Sequence, residues 1–292
     1  MELHKAAALL KLLDDYRVLG KLKPVDHYSD GDPVSARFAM VLDTETTGLD
    51  TAADKIIELG FAVCRYDADS GALHDVVARY DGFEDPCEPL SDVVRKLTGI
   101  DDAMVQGQKL DDAEINRWFE KSDLVIAHNA GFDRKMVERR FPAAIECNWA
   151  CSFTGIDWQA EGIASAKLDY LAYRFGFFFE GHRAVNDAEA TLHLLSMTLS
   201  KSGKPAMAAL LESARKTYLR LVIRFKYDEA VIPKLKARKY RWDGENKVWY
   251  TLIDNKDQDD ELNWLNAEVY KGGKADVTSV SLTAKDMFSI RV

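Results

Sequence analysis

Cysteine is scarce in this chain: four residues, at positions 64, 87, 147 and 151, out of 292. So few, in so long a chain, do not make a disulfide framework. Cys147 and Cys151 lie four apart with no second pair and no neighbouring histidine, which argues against a structural zinc site. Proline is also sparse, at seven, and there is no low-complexity tract and no long-period repeat. No stretch approaches the ~20 apolar residues that a membrane span requires. The apolar patch at the N-terminus is interrupted by Lys5, Lys11, Asp14 and Asp15, and no small-residue cleavage site follows it. It reads as an amphipathic helix over 2–19 and not as a leader, and the protein is expected in the cytoplasm.

Excess positive charge is missing as well. Lys and Arg number 39 against 48 Asp and Glu, a net charge of −9. Taken alone, that total disfavours a polyphosphate partner, which prefers basic surfaces. The total conceals a division. Residues 201–250 hold 13 basic and 5 acidic residues, whereas residues 1–200 hold 21 basic and 35 acidic. With 47% hydrophobic and 30% charged residues, the chain has the profile of a soluble globular protein of one large and one smaller domain.

Residues 1–35 read as the N-terminal helix and a turn-rich linker over 21–35. The order of elements that follows, βββαβαβαα, predicts a mixed α/β domain over 36–202 with a central sheet. Its first strand alternates Phe38, Met40 and Leu42 against Ala39 and Val41, and Ser91 is positioned to cap a helix. From about residue 207 the pattern changes to a compact α+β unit, βαββα, ending near residue 270, with the Asp243-Gly244 pair turning a hairpin. Residues 271–292 read as a loose tail.

Three acidic motifs carry the chemistry. Asp43 and Glu45 end an apolar strand two residues apart, so both side chains leave the same face. Two carboxylates on one face repel unless a cation lies between them, and a divalent metal with oxygen ligands is the natural solution. Asp133 follows a buried strand at the start of a helix, where a carboxylate is also favoured merely by the helix dipole. In GHRAVNDAEATLHLL, Asp187 begins a helix and His182 precedes it by five residues, in a loop from which it can swing over a metal site.

The combination DTETTGL, HNAGFD and HRAVND, in that order, resembles the DEDD family of 3′-to-5′ exonucleases, over roughly residues 36–200. Position 182 is His, which resembles the histidine subclass. The resemblance implies a ribonuclease H-like fold and hydrolysis of phosphodiester bonds from a 3′ end, releasing nucleoside 5′-monophosphates. It implies two Mg²⁺ ions, replaceable by Mn²⁺, held by Asp43, Glu45, Asp133 and Asp187, with His182 as general base. It also implies that Thr46, Thr47 and Leu49 receive the terminal nucleotide and that His128, Asn129 and Phe132 line the same cleft. Phe132 fits core packing equally well.

In the basic segment, cations alternate with aromatics. Arg238, Lys239, Tyr240, Arg241, Trp242 and Trp249 are candidate nucleic-acid contacts, with cations for phosphates and rings for bases. The segment LKARKYRWDGENKVWY is similar to the HARP-type module of some DNA-annealing helicases. The aromatics could equally fill a small core. The expected ligand is a DNA 3′ end in the nucleoid. An RNA-processing exonuclease, a polymerase-bound proofreading subunit and a non-catalytic nucleic-acid binder remain as alternatives. A homodimer and a replication or repair partner are also left open.

Overall fold

The computed structural model describes residues 15–30 and 36–292. The chain forms two compact units. The first runs to Ala214 and also takes in Phe288–Val292; the second is Arg215–Met287. The helix expected over 2–19 falls largely outside the described residues, and residues 16–19 are not helical.

The first unit is built on a five-stranded sheet of β2 (Ala36–Thr46), β3 (Ile56–Asp67), β4 (Leu73–Phe83), β5 (Leu124–Ala127) and β6 (Trp149–Cys151). Their order is β4-β3-β2-β5-β6. β2 to β4 form an antiparallel meander, and β5 and β6 add in parallel. The sheet is mixed, as the order of elements predicts, and this is the arrangement expected of a ribonuclease H-like domain.

The central strand β2 is buried on both faces, which explains its unbroken apolar run. Ala39 and Val41 face a layer containing Leu171, Leu192 and Met207. Met40 and Leu42 face the opposite layer, with Ile115, Phe119 and Val137. Helices α1 (Asp92–Thr98) and α2 (Asp102–Val105) pack separately around Ile57 and Ile100. The layer of Met40 and Leu42 comes from α3 (Asp112–Lys121) and α4 (Ala130–Arg140), and that of Ala39 and Val41 from α5 (Leu168–Phe175), α6 (Ala184–Leu195) and α7 (Ala206–Ala214). The Ser91 side chain does cap α1, accepting from Val94 N–H.

Two boundaries differ from the sequence reading. α7 belongs to the first unit, because Ala206, Met207 and Leu210 complete its core, so the second unit begins near 215 and not 207. Residues 20–30 are not a free linker. β1 (Gly20–Lys21) pairs with β7 (Phe177–Phe178), and Asp26 and Tyr28 bond to the β4 edge.

The second unit is a four-stranded antiparallel sheet, ordered β11-β8-β10-β9. Its strands are β8 (Tyr218–Arg224), β9 (Arg241–Asp243), β10 (Val248–Asp254) and β11 (Asp276–Leu282). Helices α8 (Ile232–Ala237) and α9 (Gln258–Glu268) pack on one face around Ile223, Leu235, Tyr240 and Leu265. The βαββα order is present, but β11 is an added strand drawn from the segment read as a loose tail. Its Val and Ser alternation is too irregular to signal a strand by itself.

The last residues return to the first unit. Phe288 packs on its core, and Ser289 Oγ donates to Glu138 at 2.9 Å. Among the described residues, no helix is long and apolar enough to cross a membrane.

Candidate active site

The site forms where β2 leaves the core. Asp43 and Glu45 lie on the face toward α6, whose first turn carries Asp187. A carboxylate oxygen of each of these three residues lies within 4.8 Å of the others. Asp133 approaches from α4 on the other side and is buried. It accepts from the Thr44 N–H at 3.1 Å and the Thr44 hydroxyl at 2.8 Å. The strand residue between the two β2 acids thus holds the fourth acid.

Close approach of α6 depends on a missing side chain. Gly60 pairs with Asp43 across the β2–β3 ladder. A Cβ there would lie 2.1 Å from the backbone nitrogen of Val185, inside the first turn of α6. The helix backbone therefore rests directly on the sheet beside Asp43.

His182 stands in the turn before α6 and is exposed. Its φ of 63° is left-handed, a conformation costly for a side chain other than glycine. Arg183 N–H donates to Asp187 at 3.3 Å. His182 sits close enough to Asp187 to lower its pKa through its own charge and its backbone N–H.

A second acidic group lies behind the first and was not singled out by the motifs. Glu58 is fully buried and pairs with Glu45 across the strands. It accepts from Arg183 Nε and from the Ala184 N–H, both at 2.9 Å, which ties the start of α6 to β3. Asp81 on β4 also bonds to Glu58, and burial followed by the Glu58 charge pushes its pKa up to about 6. The available signal was Glu58 itself, a lone acid inside the apolar run KIIELG, since buried charges occur only where something pairs them.

Burial raises all four acids of the cluster. Asp43 is held well above the usual carboxylate range by burial and then by Asp133, Asp187 and Glu45. Glu45 is pushed up to about 8 by burial and by Asp187. Asp133 reaches about 7, burial outweighing the Thr44 donors, and Asp187 about 6. Without cations, Asp43 and Glu45 retain protons near neutral pH. An all-oxygen donor set of converging carboxylates fits a hard divalent ion such as Mg²⁺ or Mn²⁺.

The residues expected around the terminal nucleotide divide into two sets. Leu49 is 87% exposed at the tip of the turn. The hydroxyls of Thr46 and Thr47 are committed within the turn, to Gly48 O at 2.6 Å and to Asp54 at 2.9 Å. Asn129 is exposed and left-handed at the start of α4. Phe132 packs partly against the core. Both ring nitrogens of His128 are occupied, by Ser152 Oγ and Ala166 O, each at 2.8 Å, and burial lowers its pKa to about 4. Its ring meets Phe153 edge-on.

In the second unit, Arg238 is ion-paired with Glu261, and the buried Tyr240 hydroxyl lies 3.1 Å from the same carboxylate. Trp249 packs on the small core, and Trp242 stacks at a tilt against it while remaining 52% exposed. Lys239 and Arg241 are exposed. Part of the expected contact set is therefore core and ion pair.

Residues 40–195, more than half of the chain, match the family model described as Exonuclease (RNase_T). The chain belongs to this exonuclease family. The curated relatives include the PolC-type DNA polymerase III of Listeria monocytogenes, 32% identical over 171 residues, covering 53% of this chain and 11% of that protein. The corresponding Bacillus subtilis polymerase is 30% identical over 175 residues, covering 56% and 12%. The chain thus spans about a tenth of the length of these relatives. Similar solved structures include exonuclease X with 5′-overhanging duplex DNA, at 21% identity over 58% of this chain and 99% of that one, with a TM-score of 0.42. Exonuclease I is 17% identical over 75% and 62%, with a TM-score of 0.49.

Proposed function

We propose that the chain is a metal-dependent 3′-to-5′ exonuclease acting on DNA ends and releasing nucleoside 5′-monophosphates. The observation that carries this reading is the convergence of Asp43, Glu45 and Asp187 within 4.8 Å, with the exposed His182 at the lip of the same helix. Two divalent cations would supply an activated water and offset charge on the pentacovalent phosphorus. Asp43, Glu45 and Asp187 would hold the cations. Asp133, fixed by Thr44, supports them from the α4 side.

His182 takes the proton of the attacking water on an imidazole nitrogen, and its exposure lets that proton pass on to solvent. Leu49 presses on the last base from the turn tip, and Asn129 and Phe132 border the terminal nucleotide. His128 holds the wall in place through Ser152 and Ala166. Lys239, Arg241 and Trp242 are the hairpin residues free to contact nucleic acid. DNA is favoured over RNA because the curated relatives are DNA polymerases.

The test is release of mononucleotides from 3′-labelled single-stranded DNA and RNA of the same sequence, with Mg²⁺, Mn²⁺ or chelator. DNA is expected to be degraded from the 3′ end only with metal. Asp43→Ala and Asp187→Ala should abolish the reaction with the fold intact. Near parental turnover in either variant overturns the metal assignment, and preference for the RNA strand overturns the substrate.

A further inference from the structure

The cations of the second unit are unequally used. Lys234 pairs with Glu268, Arg238 with Glu261 and Lys271 with Asp228. Arg224, Lys226 and Lys274 are all exposed and have no ion pair among the described residues. These three line one open cleft of about 620 Å³, built entirely from second-unit residues.

The cleft has a fixed floor. Val269 is buried in the small core, and the Tyr270 hydroxyl lies 2.7 Å from the carbonyl oxygen of Asp276 and 3.0 Å from that of Arg224. Tyr270 thereby ties the end of β8 to the start of β11. At the same cleft, Tyr227 is 76% exposed. Of the two acids in the lining, Asp228 is satisfied by Lys271 at 3.1 Å and by the Ala230 N–H at 3.0 Å. That leaves Glu229 against three unpaired cations.

We propose that this cleft holds a single strand of nucleic acid, with phosphates against Arg224, Lys226 and Lys274 and a base stacked on Tyr227. Unpaired cations beside a rigid wall are suited to a polyanion, and each phosphate contact releases counterions. The exposed ring selects among polyanions. A duplex hides the faces of its bases, whereas a single strand offers them, and stacking on an aromatic side chain tolerates any sequence. Arg224, Lys226 and Tyr227 lie in the basic stretch of the sequence, whereas Tyr270 and Lys274 lie beyond it, and the lining includes none of the hairpin residues Tyr240, Arg241, Trp242 and Trp249. The cleft therefore deepens the reading of that stretch by naming which of its residues meet the strand. The inference rests on the exonuclease reading for its class of ligand.

The experiment uses the full chain in chelator, so that nothing is cleaved, and a 5′-fluorescein oligothymidylate read by anisotropy across a salt series. Lys226→Glu with Lys274→Glu is expected to weaken binding about 10-fold or more. It should also reduce the slope of log affinity against log salt by roughly 1.4, the effect of losing two phosphate contacts on a single strand. Tyr227→Ala is expected to weaken it about 5-fold or more through lost stacking. Melting temperatures should match the parent, as these side chains are exposed.

Unchanged affinity in the charge variant overturns the proposal. Loss in the charge variant with none in Tyr227→Ala overturns it too, since the cleft would then be a general polyanion site. A second readout, Mg²⁺-dependent hydrolysis of thymidine 5′-p-nitrophenyl phosphate, should be the same in parent and variants. If the parent fails to hydrolyse it and fails on oligonucleotides, the exonuclease reading falls independently of the binding result.

Discussion

His182 combines exposure, a left-handed backbone and a place next to Asp187. Strain maintained at one residue is tolerated where the geometry is used. His182→Ala should lower nuclease turnover by ~10²–10⁴ with the fold retained, the usual scale for losing a general base. His182→Gly should lose activity to a similar extent and yet raise stability by up to ~1 kcal/mol, because glycine adopts this φ freely. Thermal melts beside turnover measurements check both, and normal activity in either variant removes His182 from the chemistry.

The acids make a second prediction at this scale. Glu45, Asp133 and Asp187 are raised to about 8, 7 and 6. Each is a carboxyl that binds its proton more tightly folded than unfolded, so its contribution to stability is present at low pH and is lost as pH rises through the folded value. In chelator, the melting temperature should fall between about pH 5 and pH 8. Mg²⁺ or Mn²⁺ should raise it more at pH 8 than at pH 5, where protons compete for the same oxygens. A metal shift that is equal at the two pH values would show that the cation binds elsewhere. The grouping of Asp43, Glu45 and Asp187 was legible as a spaced pattern of motifs. Glu58, Asp81 and Arg183 were not, because their importance lies in a register between strands that no local spacing encodes.

At the scale of elements, the site depends on how closely α6 lies on β3. Gly60→Ala would drive a methyl group into the Val185 backbone, which has no flexible end to move aside. The expected cost is roughly 3 kcal/mol, or a fall in melting temperature of roughly 6–12 °C, with nuclease activity reduced because Asp187 shifts with its helix. Calorimetry together with an activity assay tests it. A variant as stable and as active as the parent would mean that the helix can slide without consequence. The strands of the first unit were readable because β2 and β5 are apolar on both faces and the helices carry clear starts such as Ser91. β11 was not readable. It is exposed along most of its length and owes its existence to pairing with β8.

At the scale of the whole molecule, the net charge conceals two parts of opposite sign. The acidic excess of residues 1–200 includes the site carboxylates, and the basic excess lies in the segment that forms about half of the second unit. The domain limits were less legible, since α7 resembles the start of something new but completes the core of the first unit. The C-terminal residues carry a prediction of their own. Glu138 is buried beside Arg134, and Ser289 Oγ and the Ile290 N–H both donate to it. Removing Phe288–Val292 should destabilise the first unit by ~1–3 kcal/mol, the cost of leaving a buried acceptor short of donors, visible as a lower melting temperature.

Because the chain leaves the first unit after Ala214 and rejoins it at Phe288, the second unit is an insertion stitched in at both ends. A protease cut within the exposed loop at 271–275 therefore severs the chain without freeing either piece. The long fragment keeps β8, while the short one keeps β11 and remains docked through Ser289 on the first unit. Each attachment keeps the other at high local concentration. Nicked protein should run as two bands under denaturing conditions and as one species, of unchanged size, on a native column.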